Sequence, residues 1–300
     1  MQPDPALLRA LSLSSADDIS LHPHGGSNFT NTYSLSCPSG KYFVKTSTAP
    51  IAASMFLGEF TSLQNISRVA PELSSIPIAH GALENGGHFL ITSFLDLPTG
   101  KGDAKQLAEG LWKMHNAELP DEVQGKGYGF GVPTCCGDTE LDNTWASSWQ
   151  EFLVERRMKP IARACKDLEL EKMVDELCDK VIPKLLEGRK SKPALIHGDL
   201  WSGNASGGKV FDPASFYADA EFETGIMELF GGFGEVLGEY WKLVDEGADW
   251  VQGEKERRKD RVKCYSLWHT LNHVRIFGGS YRTGAVEAMA ELKRKYNDAE

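Results

Sequence analysis

The chain has 300 residues, 41% of them hydrophobic and 25% charged, with a formal net charge of −10. That is ordinary globular composition, with enough chain to bury a core in one large or two small domains, and the acidic balance argues against a general affinity for nucleic-acid backbone. The six cysteines are scattered without a C-x-x-C pair, which suits a reducing compartment. No stretch has a signal-peptide pattern or an apolar run of membrane-spanning length, so a cytoplasmic protein with neither membrane nor nucleic acid as partner is expected.

In chain order, residues 1–20 read as a short helix (Leu7, Leu8, Leu11) and a polar stretch, a lid on the first domain. Gly25-Gly26, followed by the alternation of Phe29, Tyr33 and Leu35, predicts a strand–turn–strand hairpin with a glycine tip. Amides at such a tip can cradle phosphates, although the spacing is not G-x-G-x-x-G and an ordinary turn is the plainer reading. His22 and His24 flank Pro23 and read as surface loop rather than as a metal pair. Gly40 to Lys45 is the next strand, and the helical stretch from Ala52 to Ile66 carries Glu59. A lysine ending a strand and a glutamate on the next helix are what kinases use to position the nucleotide α/β-phosphates; alone, Glu59 also reads as a solvent-facing helix charge.

His88 to Leu95 reads as a buried strand, and the linker chemistry of Asp96 to Gly102 separates a first lobe (1–96) from a second (97–300). On a kinase reading, adenine meets the backbone of Ser93, Phe94 and Leu95. Asp103 with Gln106 forms a capping pattern opening a helix striped by Leu107, Leu111 and Met114 and ended by His115. The glycine-rich run from Gly125 to Thr134 lacks the preceding strand and the Lys-Ser/Thr helix start of a phosphate loop and is rejected as one. Helices are expected over 147–157, with Trp145, Trp149, Phe152 and Leu153 inward, and over 169–188, broken near Pro183 and ended by Gly188.

The central stretch is Leu195 to Phe216, LIHGDLWSGNASGGKVFDPASF. An apolar run leads to His197-Gly198-Asp199, Asn204 comes five residues later, and after the Gly207-Gly208 turn a second apolar run ends at Asp212. Phosphoryl transfer asks for an Asp to accept the proton of the attacking hydroxyl, and an Asn and a second Asp to hold Mg²⁺ on the phosphates of ATP. The kinase pattern H-R-D-x-x-x-x-N…D-F-G becomes here H-G-D-x-x-x-x-N…D-P-A. Asp and Asn near Gly are also favoured turn residues, but three of them at this spacing, each after an apolar run, favour the kinase reading. Beyond it the chain reads as helical. Glu221 and Glu223 in a first turn are structural, and the Glu254–Lys263 charge cluster is a solvated helix face. His269 and His273, four apart without a third ligand, are core or pocket histidines. The expected fold class is α+β: a bilobal protein-kinase-like fold with a small β-rich lobe, a larger helical lobe and the site in the cleft.

HGDLWSGN followed by FDPASFY resembles the fructosamine-3-kinase (ketosamine-3-kinase) family, relatives of the aminoglycoside and choline kinases. GFGVPTCCG, the Trp145–Arg157 stretch, MELFGGF and Leu271-Asn272-His273 carry the resemblance further, over roughly residues 20–282. It implies ATP-dependent phosphorylation of the 3-hydroxyl of ketosamines, on protein lysines or small amines, giving a product that sheds its sugar. The rival is a kinase of the aminoglycoside or choline type acting on another hydroxyl. Carried over by position, Asp199 is the base, Asn204 and Asp212 hold Mg²⁺, and Lys45 with Glu59 positions the phosphates. Trp201 and His273 wall the sugar pocket. Two departures stand out: Ser27-Asn28 occupy a turn where relatives carry cysteine, and Val274-Arg275-Ile276 replaces W-N-H after the histidine. Cys135-Cys136 match the family without a chemical role being readable.

Overall fold

The computed structural model describes residues 3–26, 29–97, 102–247 and 254–297, so Ser27, Asn28 and most of the expected 96–102 linker lie outside the described residues. Helix α1 (Pro5–Ala10) precedes strands β1 (Ser20–Gly26), β2 (Asn31–Cys37) and β3 (Gly40–Ser47). After α2 (Ala52–Val69) come β4 (Pro77–Ala82) and β5 (His88–Ser93). These strands form one antiparallel five-stranded sheet in the order β1-β2-β3-β5-β4, with Val44 opposite Ile91 and Lys45 opposite Leu90.

Because successive side chains point to opposite faces, Val44, Phe89 and Ile91 pack with Leu35 against Ala6 and Leu7 of α1. Leu90 meets Ala52, Met55 and Phe56 of α2 on the other face. The α1 cap fixes that outer cover: the Asp4 carboxylate accepts from the Ala6 N–H (2.9 Å) and from the N–H groups of Glu84 and Asn85 in the β4–β5 turn (3.1 and 3.0 Å). His22 and His24 correct the loop expectation, since both lie in β1. Pro23 is tolerated there because β1 is an edge strand.

The rest of the chain is mainly helical. Helix α3 (Ala104–His115) opens on Asp103, whose side chain accepts from the N–H groups of Lys105 and Gln106 as the capping pattern predicts. A short hairpin comes next, β6 (Thr134–Cys136) and β7 (Thr139–Leu141). Helix α4 (Trp149–Phe152) then widens through a π-helical turn, Leu153–Met158, into α5 (Lys159–Ala164). Helices α6 (Leu168–Lys180) and α7 (Ile182–Leu186) are separated at Val181, with Pro183 in the first turn of α7, so the break falls near Pro183 as expected. Strand β8 (Ala194–Ile196) and the small hairpin β9 (Ala205–Ser206) and β10 (Lys209–Val210) lead to β11 (Phe216–Ala218), which pairs back onto β8. Helices α8 (Glu221–Leu229), α9 (Gly234–Gly247), α10 (Glu254–Phe277) and α11 (Tyr281–Asn297) complete the order. Among the described residues, no helix is long and apolar enough to cross a membrane.

The main core runs from Ile66 of α2 and Ala70 at its end to Phe152, Phe216, Phe222 and Trp268. Rings stack through it, Phe152 on Phe216 at 5.5 Å and Phe216 edge-on to Phe222 at 5.7 Å, each buried side chain contributing about 1.5–3 kcal/mol. The Glu254–Lys263 expectation holds for one side only: Lys255, Glu256 and Lys259 are exposed, but Arg261 is fully buried and Glu254 and Asp260 nearly so. Arg261 reaches Glu221 through Nε and Nη2 (2.6 and 2.9 Å). A charge pattern reads the same on a wet face and on one matched by carboxylates from another helix.

The two parts are seamed by α2. A Cβ at Gly58 would stand 2.6 Å from the Pro133 carbonyl, so the helix rests directly on the segment entering β6. Ser62 Oγ accepts from the Ser215 N–H (3.1 Å), and the Val210 N–H donates to the Leu73 carbonyl (2.8 Å).

Candidate active site

The sheet and α2 bring Lys45 and Glu59 together. Lys45 Nζ donates to both Glu59 carboxylate oxygens (2.7 and 2.9 Å) and to Asp212 Oδ1 (2.6 Å). Burial works against the Lys45 ammonium, but Asp212 and Glu59 outweigh it and hold its pKa above the usual lysine value. Burial pushes the Glu59 carboxyl up, to about 7, against the pull of Lys45. Asp212 sits in the left-handed region (φ 59°) with 47% of its side chain exposed. A non-glycine residue there is strained, and the strain aims a carboxylate into the cleft.

The second carboxylate comes from the segment after β8. Gly198 is at φ 85°, and a Cβ there would stand 2.2 Å from the Ala214 carbonyl, so only glycine fits. Glu223 of α8 accepts from the backbone N–H groups of both His197 and Gly198 (3.0 Å for the latter). The structural reading of Glu223 thus holds, and so does that of Glu221. His197 is buried, its Nδ1 accepting from the Asp199 N–H (3.3 Å), which leaves Nε2–H to donate to the Phe211 carbonyl (2.9 Å). Both ring nitrogens are used to hold the loop.

Asp199 projects from it, half-buried. Asn204 Nδ2 donates to the Asp199 carbonyl (2.8 Å) and lies 3.5 Å from its Oδ2, leaving the amide oxygen of Asn204 available as an acceptor. Cys136 Sγ–H donates to Asp199 Oδ1 (3.3 Å). Burial raises the Asp199 carboxyl to about 7, with Asp212 and Glu223 adding to the rise and the Cys136 and Asn204 hydrogen bonds opposing it. A carboxylate poised near neutrality is what a general base needs.

A cleft of about 280 Å³ opens beside these groups, bounded by Lys45, Glu59 and Asp212 at one end and Ser93, Phe94 and Leu95 at the other. Gly26 lines it and Gly25 stands behind, at φ 102°. The N–H groups of Ser93 and Phe94 donate to the carbonyls of Ile76 and Lys41 (2.8 and 3.3 Å). Of that stretch, then, Leu95 is left to offer its N–H to a base. His24, which the sequence reading set aside, also lines the cleft, its ring 5.9 Å from Phe43 and 5.3 Å from Phe94.

On the other side of Asp199, Trp201 is 42% exposed, with its ring laid over Gly203. Phe230 bridges it to His273, at centroid distances of 6.3 and 4.8 Å. His273 Nδ1–H donates to the His269 carbonyl (2.8 Å), which turns Nε2 into an acceptor. Sequence reasoning missed Cys136, Asn272 and His269 around Asp199. Asn272 Nδ2 donates to the Cys136 carbonyl (3.3 Å). The signals for these residues were the matched TCCG loop, the LNH segment and the four-residue spacing of His269 and His273, none of which says what the side chains face. Arg157, on the π-helical turn, supports the same loop: it stacks on Phe216 (4.0 Å) and donates to Asn143 Oδ1 (2.5 Å), and Asn143 Nδ2 reaches Thr134 Oγ1 (2.9 Å). Such turns recur beside functional sites.

A model of the fructosamine kinase family matches residues 8–295. The chain is 32% identical over 279 residues to the chloroplastic protein-ribulosamine 3-kinase of Oryza sativa subsp. indica, covering 90% of this chain and 78% of that one. It is 31% identical over 297 residues to the ketosamine-3-kinase of Mus musculus, covering 90% and 94%. A crystal structure from Haemophilus somnus 129PT, described as a candidate fructosamine-3-kinase, superposes with TM-score 0.76 at 20% identity over 96% of both chains and so shares the fold. With Asp212 lining the cleft, Asn204 in contact with Asp199, and the family model spanning nearly the whole length, the chain belongs to the fructosamine kinase family.

Proposed function

We propose that this chain is an ATP-dependent kinase that phosphorylates the 3-hydroxyl of ketosamines, ribulosamine and fructosamine adducts on protein lysines or on small amines, in a reducing, cytoplasmic compartment. The observation that carries the reading is the convergence of Lys45, Glu59 and Asp212 from two lobes beside Asp199 and Asn204. The relatives named above act, by their names, on ribulosamines and ketosamines.

Asp199 takes the proton of the sugar hydroxyl as its oxygen forms a bond to the γ-phosphorus, the bond to the bridging oxygen breaks, and ADP leaves. Lys45, held by Glu59, meets the α/β-phosphates and offsets their charge. Cys136 and Asn204 keep the Asp199 carboxylate in place. The cleft between Lys45 and Leu95 takes the nucleotide, with Gly25-Gly26 roofing the phosphates and Phe94 beside the base. The Trp201 indole packs on the C–H face of the sugar, and His273 Nε2 accepts from a hydroxyl. Most of the acceleration then comes from positioning and electrostatics.

Mg²⁺ requires hard oxygen ligands. The exposed Asp212 carboxylate and the spare amide oxygen of Asn204 supply such a set and would hold the ion. When bound, it neutralises charge on the phosphates. The test is an ADP-release assay with ribulosyl-lysine, fructosyl-lysine, an aminoglycoside and choline as acceptors. Turnover of a ketosamine with phosphate on its 3-oxygen is expected; turnover confined to the last two acceptors would sink the reading.

A further inference from the structure

At the acceptor end of the cleft, Cys136 Sγ, a carboxylate oxygen of Asp199 and a ring nitrogen of His269 all lie within 4.8 Å of one another. His269 is 1% exposed, and neither ring nitrogen has a hydrogen-bond partner. Buried polar atoms are normally satisfied, because each unmet one costs about 1–3 kcal/mol. The neighbours of this ring are Trp268 and Phe222, with centroids 4.7 and 5.5 Å away, which orient it without satisfying it. A fully buried imidazole is out of reach of a sugar and within reach of an ion.

We propose that Cys136, Asp199 and His269 form a binding site for a thiophilic divalent cation, Zn²⁺ foremost, and that filling it stops the kinase. One sulfur, one imidazole nitrogen and one carboxylate oxygen with a fourth position left open is a zinc ligand set. Tetrahedral coordination places ligand atoms about 3.3–3.7 Å apart; Cys136 Sγ and Asp199 Oδ1 are already at 3.3 Å. The remaining edges, 4.8 Å or less, need to shorten by at most about 1–1.5 Å to reach that geometry. On coordination the Cys136 thiol releases its proton to solvent and its sulfur forms the bond to the metal. Asn272 Nδ2, 3.5 Å from that sulfur, steadies the thiolate. The soft set discriminates against Mg²⁺, which stays with the all-oxygen pair Asn204 and Asp212. Entry is through half-buried Asp199. The site stands on this geometry whatever the acceptor; the inhibition rests on Asp199 being the base proposed above.

The full chain, without nucleotide, is titrated with Co²⁺ and then Zn²⁺. The expected result is one equivalent of Co²⁺ giving thiolate-to-metal charge-transfer absorption that Zn²⁺ abolishes, and Zn²⁺ inhibiting turnover in the presence of excess Mg·ATP. Cys136→Ser removes the absorption and weakens zinc binding at least tenfold, whereas Cys135→Ser keeps both. Should Cys136→Ser fail to fold, His269→Gln carries the same expected tenfold loss. Absence of the absorption, its survival in Cys136→Ser, or unchanged zinc affinity in His269→Gln overturns the site. Cobalt absorption without ketosamine turnover leaves the site standing and defeats the proposed function; turnover without absorption does the reverse.

Discussion

Two clusters of buried charge sit in this molecule, and they differ in how completely they are matched. Around Arg189 and Arg261 every strong group has its counterpart: Arg189 forks onto Asp219 (2.8 and 2.7 Å) and reaches Glu254 (2.7 Å), and Arg261 forks onto Glu221. Around Lys45 one ammonium serves two carboxylates, one of them on strained backbone and half exposed. Nearby, Asp199 has a thiol and an amide but, among the described residues, no cation in ion-pair contact. Both clusters would be flagged by burial and charge alone. Only the second leaves carboxylates under-compensated and facing open space, which is the mark of a place meant to receive something charged.

The comparison breaks first on activity. Asp199→Asn should lower kcat about 10²–10⁴-fold while calorimetry shows ATP affinity little changed; undiminished turnover on a ketosamine removes Asp199 from the chemistry. Arg261→Met tests the opposite cluster. It removes both short hydrogen bonds to buried Glu221 and leaves it only the longer contacts to Arg189 (3.4 Å) and Arg258 (3.8 Å), a loss of about 3–5 kcal/mol in urea denaturation, with kcat of the folded fraction preserved. Lys45→Met should show the mirror image, a collapse of turnover with a smaller stability loss, because Glu59, already raised to about 7, can take a proton. Equal stability losses in the two variants would erase the distinction.

A smaller effect comes from packing between the clusters. Gly58→Ala places a methyl 2.6 Å from the Pro133 carbonyl and should cost about 1–3 kcal/mol, read as a lower urea midpoint at unchanged slope.

The last prediction uses pH. The Asp199 carboxyl is raised from 3.8 to about 7, so between those values the folded state keeps a proton that the unfolded chain has released. Its contribution to stability therefore falls as pH rises through that window, and the cost is complete above it. Asp219 has the opposite sign. Burial raises it, but Arg189 and its hydrogen bonds overcome this and hold it below 3.8, so its stabilisation is present above that pH and lost on further acidification. The stability gain of Asp199→Asn over the parent should grow from pH 4 to pH 7 and then level off. A gain independent of pH would show that the carboxyl is not raised.

Much of this was legible in the chain itself. The hairpin at Gly25-Gly26, the strand carrying Lys45 (which runs two residues further, to Ser47), the capping residue Asp103, the break near Pro183 and the stop before Gly188 are local matters, settled by residues within a turn or two. The grouping of Asp199, Asn204 and Asp212 was legible because the spacing of a loop is local too. What stayed hidden depends on contacts distant in sequence: Cys136 and Asp199 are 63 residues apart and Arg261 and Glu221 are 40 apart. His24 is at the surface as expected but in a strand; a proline between histidines looks like a loop until the strand proves to be at a sheet edge beside the cleft.

The contact at Gly58 has a consequence for control. In protein kinases the helix carrying the glutamate is a movable part, and its position decides whether the lysine is engaged. Here that helix has no room for even a methyl against the Pro133 backbone and is pinned again through Ser62 to Ser215. Moving the helix away from that segment gives up both the close backbone contact and the Ser62–Ser215 hydrogen bond. Tilting it toward Pro133 is closed off by sterics, and tilting it away costs packing and a buried hydrogen bond, so releasing the glutamate from the lysine carries a penalty set on the far side of the helix.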